Sequence, residues 1–280
     1  MIGLSSSWCA ANNLGIYDSV KKVRDMGFKL VELGAAHRYE KKAFETLKRI
    51  KKDFGDMNFT VHVYFPPLKG NYLFNPCYGL THKNRLVINN LLKSASMIDA
   101  PVAGIHTGHL GVYEYEGPYR EFPGFPKFQK VSKIDYKKGF EHAVEVFRYD
   151  IKLSKNSSIK FAIENMTFDA YPLLKGRNDF AKVFEMVPEL SFLYDIGHDV
   201  RNNVSTYQFF ELKDRIIEVH MHDVVDSLDH QSIGKGRLDL KQISKNKKLL
   251  SRIPIIFEHA ANVSEADILE EKRLVEKLLR

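Results

Sequence analysis

Cysteine is scarce in these 280 residues: Cys9 and Cys77 are the only two. Two thiols do not make the disulfide framework with which small secreted domains hold themselves together. Long apolar runs are missing as well, and none approaches the about 18 residues that a membrane-spanning helix needs. The opening stretch, MIGLSSSW, lacks a basic segment followed by an extended apolar core, so it does not read as a secretory signal. These absences predict a cytoplasmic, reduced protein with no membrane partner. No glycine-rich phosphate fingerprint follows the first apolar run, which counts against a dinucleotide-binding fold. Negative charge is the minority sign: 35 acidic residues face 42 basic ones, for a net +7 and a pI near 9.1. The lysines are spread along helical stretches, as on a solvated surface, with a modest preference for anionic ligands, nucleic acid included.

What the chain does have is alternation. Short runs rich in β-branched and aromatic residues predict buried strands at Ile2–Ser6, Phe28–Glu32, Phe59–Tyr64, Val102–His106, Lys160–Glu164, Ser191–Asp195, Ile216–His220 and Pro254–Glu258. Amphipathic stretches lie between them, at Glu40–Lys52, Thr81–Ile98, Tyr136–Ser154 and Asn178–Met186, with a short weak one at Thr206–Leu212. Ser264, with Asp267 three residues on, signals the start of a last helix. Eight βα units predict a closed (β/α)₈ TIM barrel of the α/β class, occupying residues 1–280 as one domain. The rhythm breaks between Thr107 and Val131, where Tyr113, Tyr115, Tyr119, Phe122, Phe125 and Phe128 mix with Pro118, Pro123 and Pro126. A barrel places this insertion at its catalytic face, either as a lid or substrate wall or as a self-packed loop or subunit contact.

Carboxylates and imidazoles end these strands: Glu164, Asp195, His220 and Glu258. An acid at the end of a buried strand is desolvated, which is costly without a cation beside it. Four such residues at the mouth of a parallel barrel form a ligand set of three oxygens and one nitrogen. It suits manganese, magnesium, cobalt or zinc, with no choice among them. His62 and His106 end strands three and four and face the same mouth. His198 follows Asp195 by three residues, and His230 precedes the turn-forming Ile233-Gly234-Lys235-Gly236. These four read as additional metal or substrate contacts, or as hydrogen-bond partners of ligands. His222 is open to either role, whereas His37, His82 and His142 read as surface or helix residues. Lys235, Arg237, Lys175 and Arg177 are candidate phosphate contacts near the mouth, with loop solvation as the alternative, and Arg38 and Tyr39 are candidate substrate contacts on the same footing. Trp8 and Cys9 read as core or rim packing.

The ordered motifs VHVYFP, GIHTGH, AIENM, YDIGH, EVHMHD, DHQSIGKGRLDL and FEH resemble the superfamily of endonuclease IV and the xylose isomerase-like sugar isomerases and epimerases. The likeness runs from about His62 to Glu258. In the isomerase and epimerase branch, it implies one divalent ion held by Glu164, Asp195, His220 and Glu258. The two glutamates then act as acid and base on a sugar or sugar phosphate through a metal-stabilised enediolate, and His198 binds a substrate oxygen. This is the expected reaction. The alternative is the endonuclease IV branch, where a three-zinc cluster cleaves the phosphodiester beside an abasic site in DNA. There the resemblance implies His62, His106, Glu164, Asp195, His198, His220, His230 and Glu258 as ligands. The departure is Leu228, where that branch has an aspartate two residues before the histidine matching His230. Asp229 is next to it but is expected to point differently. The third zinc is therefore where the likeness fails.

Overall fold

A computed structural model describes residues 1–70, 72–118, 126–204 and 208–280. Among the described residues, twelve strands follow one another. They are β1 (Ile2–Ser5), β2 (Leu30–Leu33), β3 (Asn58–His62), β4 (Val102–His106), β5 (Gly111–Pro118), β6 (Pro126–Lys133), β7 (Lys160–Glu164), β8 (Ser191–Asp195), β9 (Ile216–Met221), β10 (Asp223–Val225), β11 (Leu228–Gln231) and β12 (Ile255–Phe257). Eight of them close a parallel barrel in the order β1-β12-β9-β8-β7-β4-β3-β2. Closure is made by β1 on β12, with Ile2 opposite Ile255 and Leu4 opposite Phe257. The protein is thus a TIM barrel, as the alternation predicts.

The strand ends differ from expectation by one or two residues, for local reasons. Phe28 is still bonded through its N–H to the Val23 carbonyl of the preceding helix, Ile16–Asp25, so β2 starts later. Tyr64 takes a left-handed φ of 74°, which no strand continues through. Glu258 lies one residue past β12. The helices at Tyr136–Ser154, Arg177–Met186 and His82–Met97 agree with expectation to within a residue. Ser264 caps the last helix, Glu265–Leu279, by accepting the Asp267 N–H. The expected short helix at Thr206–Leu212 appears as a 3₁₀ turn over Gln208–Leu212, with Thr206 and Tyr207 outside the described residues.

The insertion after β4 is a β-hairpin, not an irregular loop: β5 and β6 pair antiparallel from Gly111 opposite Lys133 outward. Tyr119, Phe122, Pro123 and Phe125 lie outside the described residues. Two contacts tie the hairpin's base to the segment after β7. Tyr113 donates its hydroxyl to the Ala170 carbonyl, and the Leu110 N–H bonds the Tyr171 carbonyl. Among the described residues, no helix is long and apolar enough to cross a membrane.

Side-chain alternation along each strand divides the barrel's two surfaces. Ala103 and Ile105, Phe161 and Ile163, Phe192 and Tyr194, and Val219 and Met221 belong to the main apolar core that packs strands against helices or, for Tyr194, bears on Phe210. The intervening positions carry Val102, Gly104 and His106, then Ala162 and Glu164, Leu193 and Asp195, and Glu218 and His220. Val102, Ala162 and Leu193 form a separate small apolar cluster, one layer below the polar residues. The period of two therefore puts every strand-ending acid and imidazole on the same inner surface.

Candidate metal centre

Glu164 is the hub. Its Oε2 stands 3.2 Å from Nε2 of His62 and 3.5 Å from Nε2 of His106. Its Oε1 stands 3.1 Å from Nδ1 of His220 and 4.0 Å from Nδ1 of His198. The four residues expected to hold one ion do converge: single donor atoms of Glu164, Asp195, His220 and Glu258 all lie within 4.8 Å of one another. The same holds for His62, His106 and Glu164, and for His198, His222 and His230. These three donor groups share one mouth, two of them through Glu164, and a fourth, of Glu32, Glu218 and His220, adjoins them through His220.

Space for the rings is made by glycines. A Cβ on Gly104 of β4 stands 2.4 Å from the His62 ring, and one on Gly197 stands 2.2 Å from the His222 ring. Asn165 fastens two strand ends together: its side chain donates to the Asp195 carbonyl and accepts the Asp195 N–H, both at 2.8 Å. Its carbonyl also faces Nδ1 of His198 at 2.8 Å. Asp195 in turn caps the short helix Ile196–Arg201 by accepting the His198 N–H, which is how residues three apart both reach the site.

The third group corrects the expectation built on Leu228. That side chain is 58% exposed and takes no part. His222 supplies the donor instead. Its Nε2 is 3.2 Å from Asp195, and its Nδ1 is 3.2 Å from Oδ1 of Asp229, which does reach the cluster. The His222 and His230 rings lie 4.1 Å apart, with His230 held at a φ of 55° and Nδ1 at 3.2 Å from the Glu258 carbonyl.

Electrostatics follow from the mixing of charges in a dry place. Burial alone raises a carboxyl, but His62 and His220 outweigh it and hold Glu164 well below the usual range. Glu258 is likewise depressed, burial opposing and His220 prevailing. Burial drives His106 down to about 3, so its ring is neutral, as a ligand must be. His230 is also lowered, by burial and by His222 beside it. Burial likewise opposes charge on His220 and His222, yet their carboxylate neighbours raise both well above the ordinary value. Several buried atoms here lack hydrogen-bond partners among the described residues, including Nε2 of His62, Nδ1 of His106 and Oε1 of Glu32. Ionised oxygens, two lowered imidazoles and two that carboxylates hold cationic are crowded together here; a divalent cation that displaced those ring protons would find the nitrogen and oxygen donors it takes.

Some residues fall elsewhere. Lys235 pairs with Asp267 and Arg237 donates to Asn203, both exposed and neither bonded to the cluster among the described residues. Arg177 pairs with Glu211, and Arg38 donates to Asn13. His37 is no surface residue: it is buried against Ser6 at 2.9 Å, and burial lowers it to about 4. His82 opens its helix on the surface, and His142 faces the Cys77 carbonyl at 3.0 Å. Trp8 is packed in, donating to the Val263 carbonyl. Sequence reasoning missed Glu32, Glu218 and Asn165. The signal for the two acids was a charge inside an apolar strand on the inward register, as in LVEL and IIEVH.

A family model described as the xylose isomerase-like TIM barrel matches residues 20–271. An uncharacterised protein of Methanocaldococcus jannaschii is 24% identical over 182 residues, which is 65% of this chain and 63% of that relative. D-psicose 3-epimerase from Clostridium cellulolyticum H10 superposes with a TM-score of 0.74 at 13% identity, over 100% of this chain and 99% of that one. An AP endonuclease, family 2, from Brucella melitensis gives 0.70 at 14%, over 95% and 96%. A D-tagatose 3-epimerase-like protein gives 0.71 at 18%, over 99% and 96%. At such identities these solved structures speak for the fold alone.

Proposed function

The chain belongs to the xylose isomerase-like TIM barrels, and from that premise we propose a divalent-metal-dependent phosphodiester hydrolase, with abasic DNA as its substrate class. The observation that carries this reading is the position of Glu164 between two donor groups. Oε2 faces His62 and His106 while Oε1 faces His220. An isomerase that moves a carbon-bound proton through Glu164 requires that carboxylate to keep an oxygen free. Shared by two cations it would keep none, whereas two adjacent cations would suit displacement at phosphorus.

In this reading His62, His106 and Glu164 hold one cation, and Glu164, Asp195, His220 and Glu258 hold a second. The mixture of ring nitrogens and carboxylates fits zinc. Such ions supply Lewis acidity toward a phosphoryl oxygen and make water more acidic. The chain's own part is positioning and proton uptake. Glu258 remains ionised beside His220 and, with 17% of its side chain exposed, is the most accessible carboxylate of its group. It is placed to accept the proton of the attacking water. The net charge of +7 favours approach of an anionic polymer.

The sugar isomerase or epimerase reading keeps one support, the completeness of the Glu164, Asp195, His220 and Glu258 group by itself. Three measurements separate the two. Elemental analysis of the purified chain is expected to give two or more zinc ions, with incision of a duplex carrying an abasic site. A single ion, no incision, and exchange of a sugar C–H for deuterium select the isomerase.

A further inference from the structure

Beneath the mouth, a second layer of acid lies inside the barrel. Glu32 of β2 and Glu218 of β9 are fully buried, and both approach the far side of the His220 ring. That ring is bonded on both edges. Nδ1 faces Glu164 at 3.1 Å, Glu258 at 3.3 Å and Asp195 at 3.9 Å. Nε2 faces Oε2 of Glu32 at 2.8 Å. Glu218 is the poorer partner, at 3.9 Å, because its Oε1 is taken by the Thr60 hydroxyl at 3.0 Å. Oε1 of Glu32 has no hydrogen-bond partner among the described residues, so the carboxylate's one strong bond is to His220.

We infer that Glu32 is a positioning residue of the centre: it accepts the Nε2–H of His220 and so holds the ring with Nδ1 turned toward Glu164, Asp195 and Glu258, the atom left to ligate once a cation displaces its proton. Burying a carboxylate with a single partner is costly, and apolar packing fills such a place at less expense. What Glu32 contributes is orientation and basicity. A ligating imidazole whose other nitrogen donates to a carboxylate is locked in rotation and is the stronger donor, and loss of such a partner weakens metal affinity by about 10–100-fold. Glu32 touches neither substrate nor cation in this arrangement; it acts through His220.

The inference rests on the metal reading, and its test separates the two. The metal-free full chain is titrated with zinc against a competing chelator, as parent, Glu32→Gln and Glu32→Asp. The parent binds tightly, Glu32→Gln loses about 10–100-fold for one ion, and Glu32→Asp, which keeps the charge, recovers part of it. Equal affinity in parent and Glu32→Gln overturns the role of Glu32 and leaves the metal reading standing. A parent that takes up no zinc overturns both. Should Glu32→Gln fail to fold, ring-nitrogen NMR of the zinc-loaded parent decides, with His220→Gln used for assignment. The Nε2–H tautomer of His220 is expected, and a proton on Nδ1 overturns the inference.

Discussion

Glu164 has neutral or cationic rings on both of its oxygens, and that arrangement fixes what its loss does. Glu164→Gln keeps the shape but removes the charge that two donor groups share. Zinc content is expected to fall, by elemental analysis, and turnover of an abasic duplex to fall with it in a gel assay, because both donor groups lose a ligand. Unchanged zinc content would mean that Glu164 is not the shared ligand. Gly197 is a second single-atom lever. A methyl group there meets the His222 ring at 2.2 Å. Gly197→Ala is therefore expected to displace that ring and cost about 1–3 kcal/mol in urea unfolding, with one zinc site weakened. Both residues stood in motifs visible in the sequence. Only the packing shows that Gly197 exists for His222, 25 positions on in the numbering.

At the level of elements, the loop after β11 is organised by one buried carboxylate. Asp223 accepts the backbone N–H of Val224, Gly234, Gly236 and Leu238, all at 2.8–2.9 Å. The sequence marked the glycines of this IGKGRL stretch as turn-forming. Their observed work includes letting the chain wrap around Asp223: a Cβ on Gly236 meets the Val224 carbonyl at 2.2 Å. Asp223→Ala leaves four amide donors without their acceptor. It is expected to cost about 3–5 kcal/mol and to open the loop between 232 and 239 to limited proteolysis, with the barrel's far-UV spectrum retained. The insertion after β4 teaches the complementary lesson. Its prolines and aromatics read as a loop, yet Gly111–Pro118 and Pro126–Lys133 pair as a ladder, because cross-strand partners far along the chain leave no short-range signature.

For the whole molecule, the proposed cation sites at a mouth crowded with carboxylates and imidazoles couple metal binding to stability. Zinc that binds the fold and not the unfolded chain adds about 4 kcal/mol when present at a thousand times its dissociation constant. A melting temperature that rises with added zinc and drops with a chelator is the expected result; a flat response would count against the centre. Acid sensitivity has a separate source in His37. Its folded value is lowered to about 4 from 6.5 by burial, so the unfolded chain takes up the proton first. The neutral ring's contribution is whole above pH 6.5 and is lost as pH falls toward 4, by about 3 kcal/mol. His37→Gln is expected to flatten that part of the stability profile, followed by denaturant melts at each pH.

The barrel was legible because a period of two in strands and longer helical stretches between them is written locally, and because a carboxylate at a strand's end stands out from an apolar run. Glu164, Asp195, His220 and Glu258 could be named together for that reason. The sequence by itself determined the fold class and singled out Glu164, Asp195, His220 and Glu258 at the strand ends. The tertiary structure decided how they share the mouth. Only closure of β1 on β12 brings Glu32 within 2.8 Å of His220, 188 residues away, and only the turn after β9 brings His222 beside His198 and His230 while Leu228 stays exposed. Distances across a barrel depend on its stagger and on which rings find room. Neither quantity is carried by any one stretch of chain.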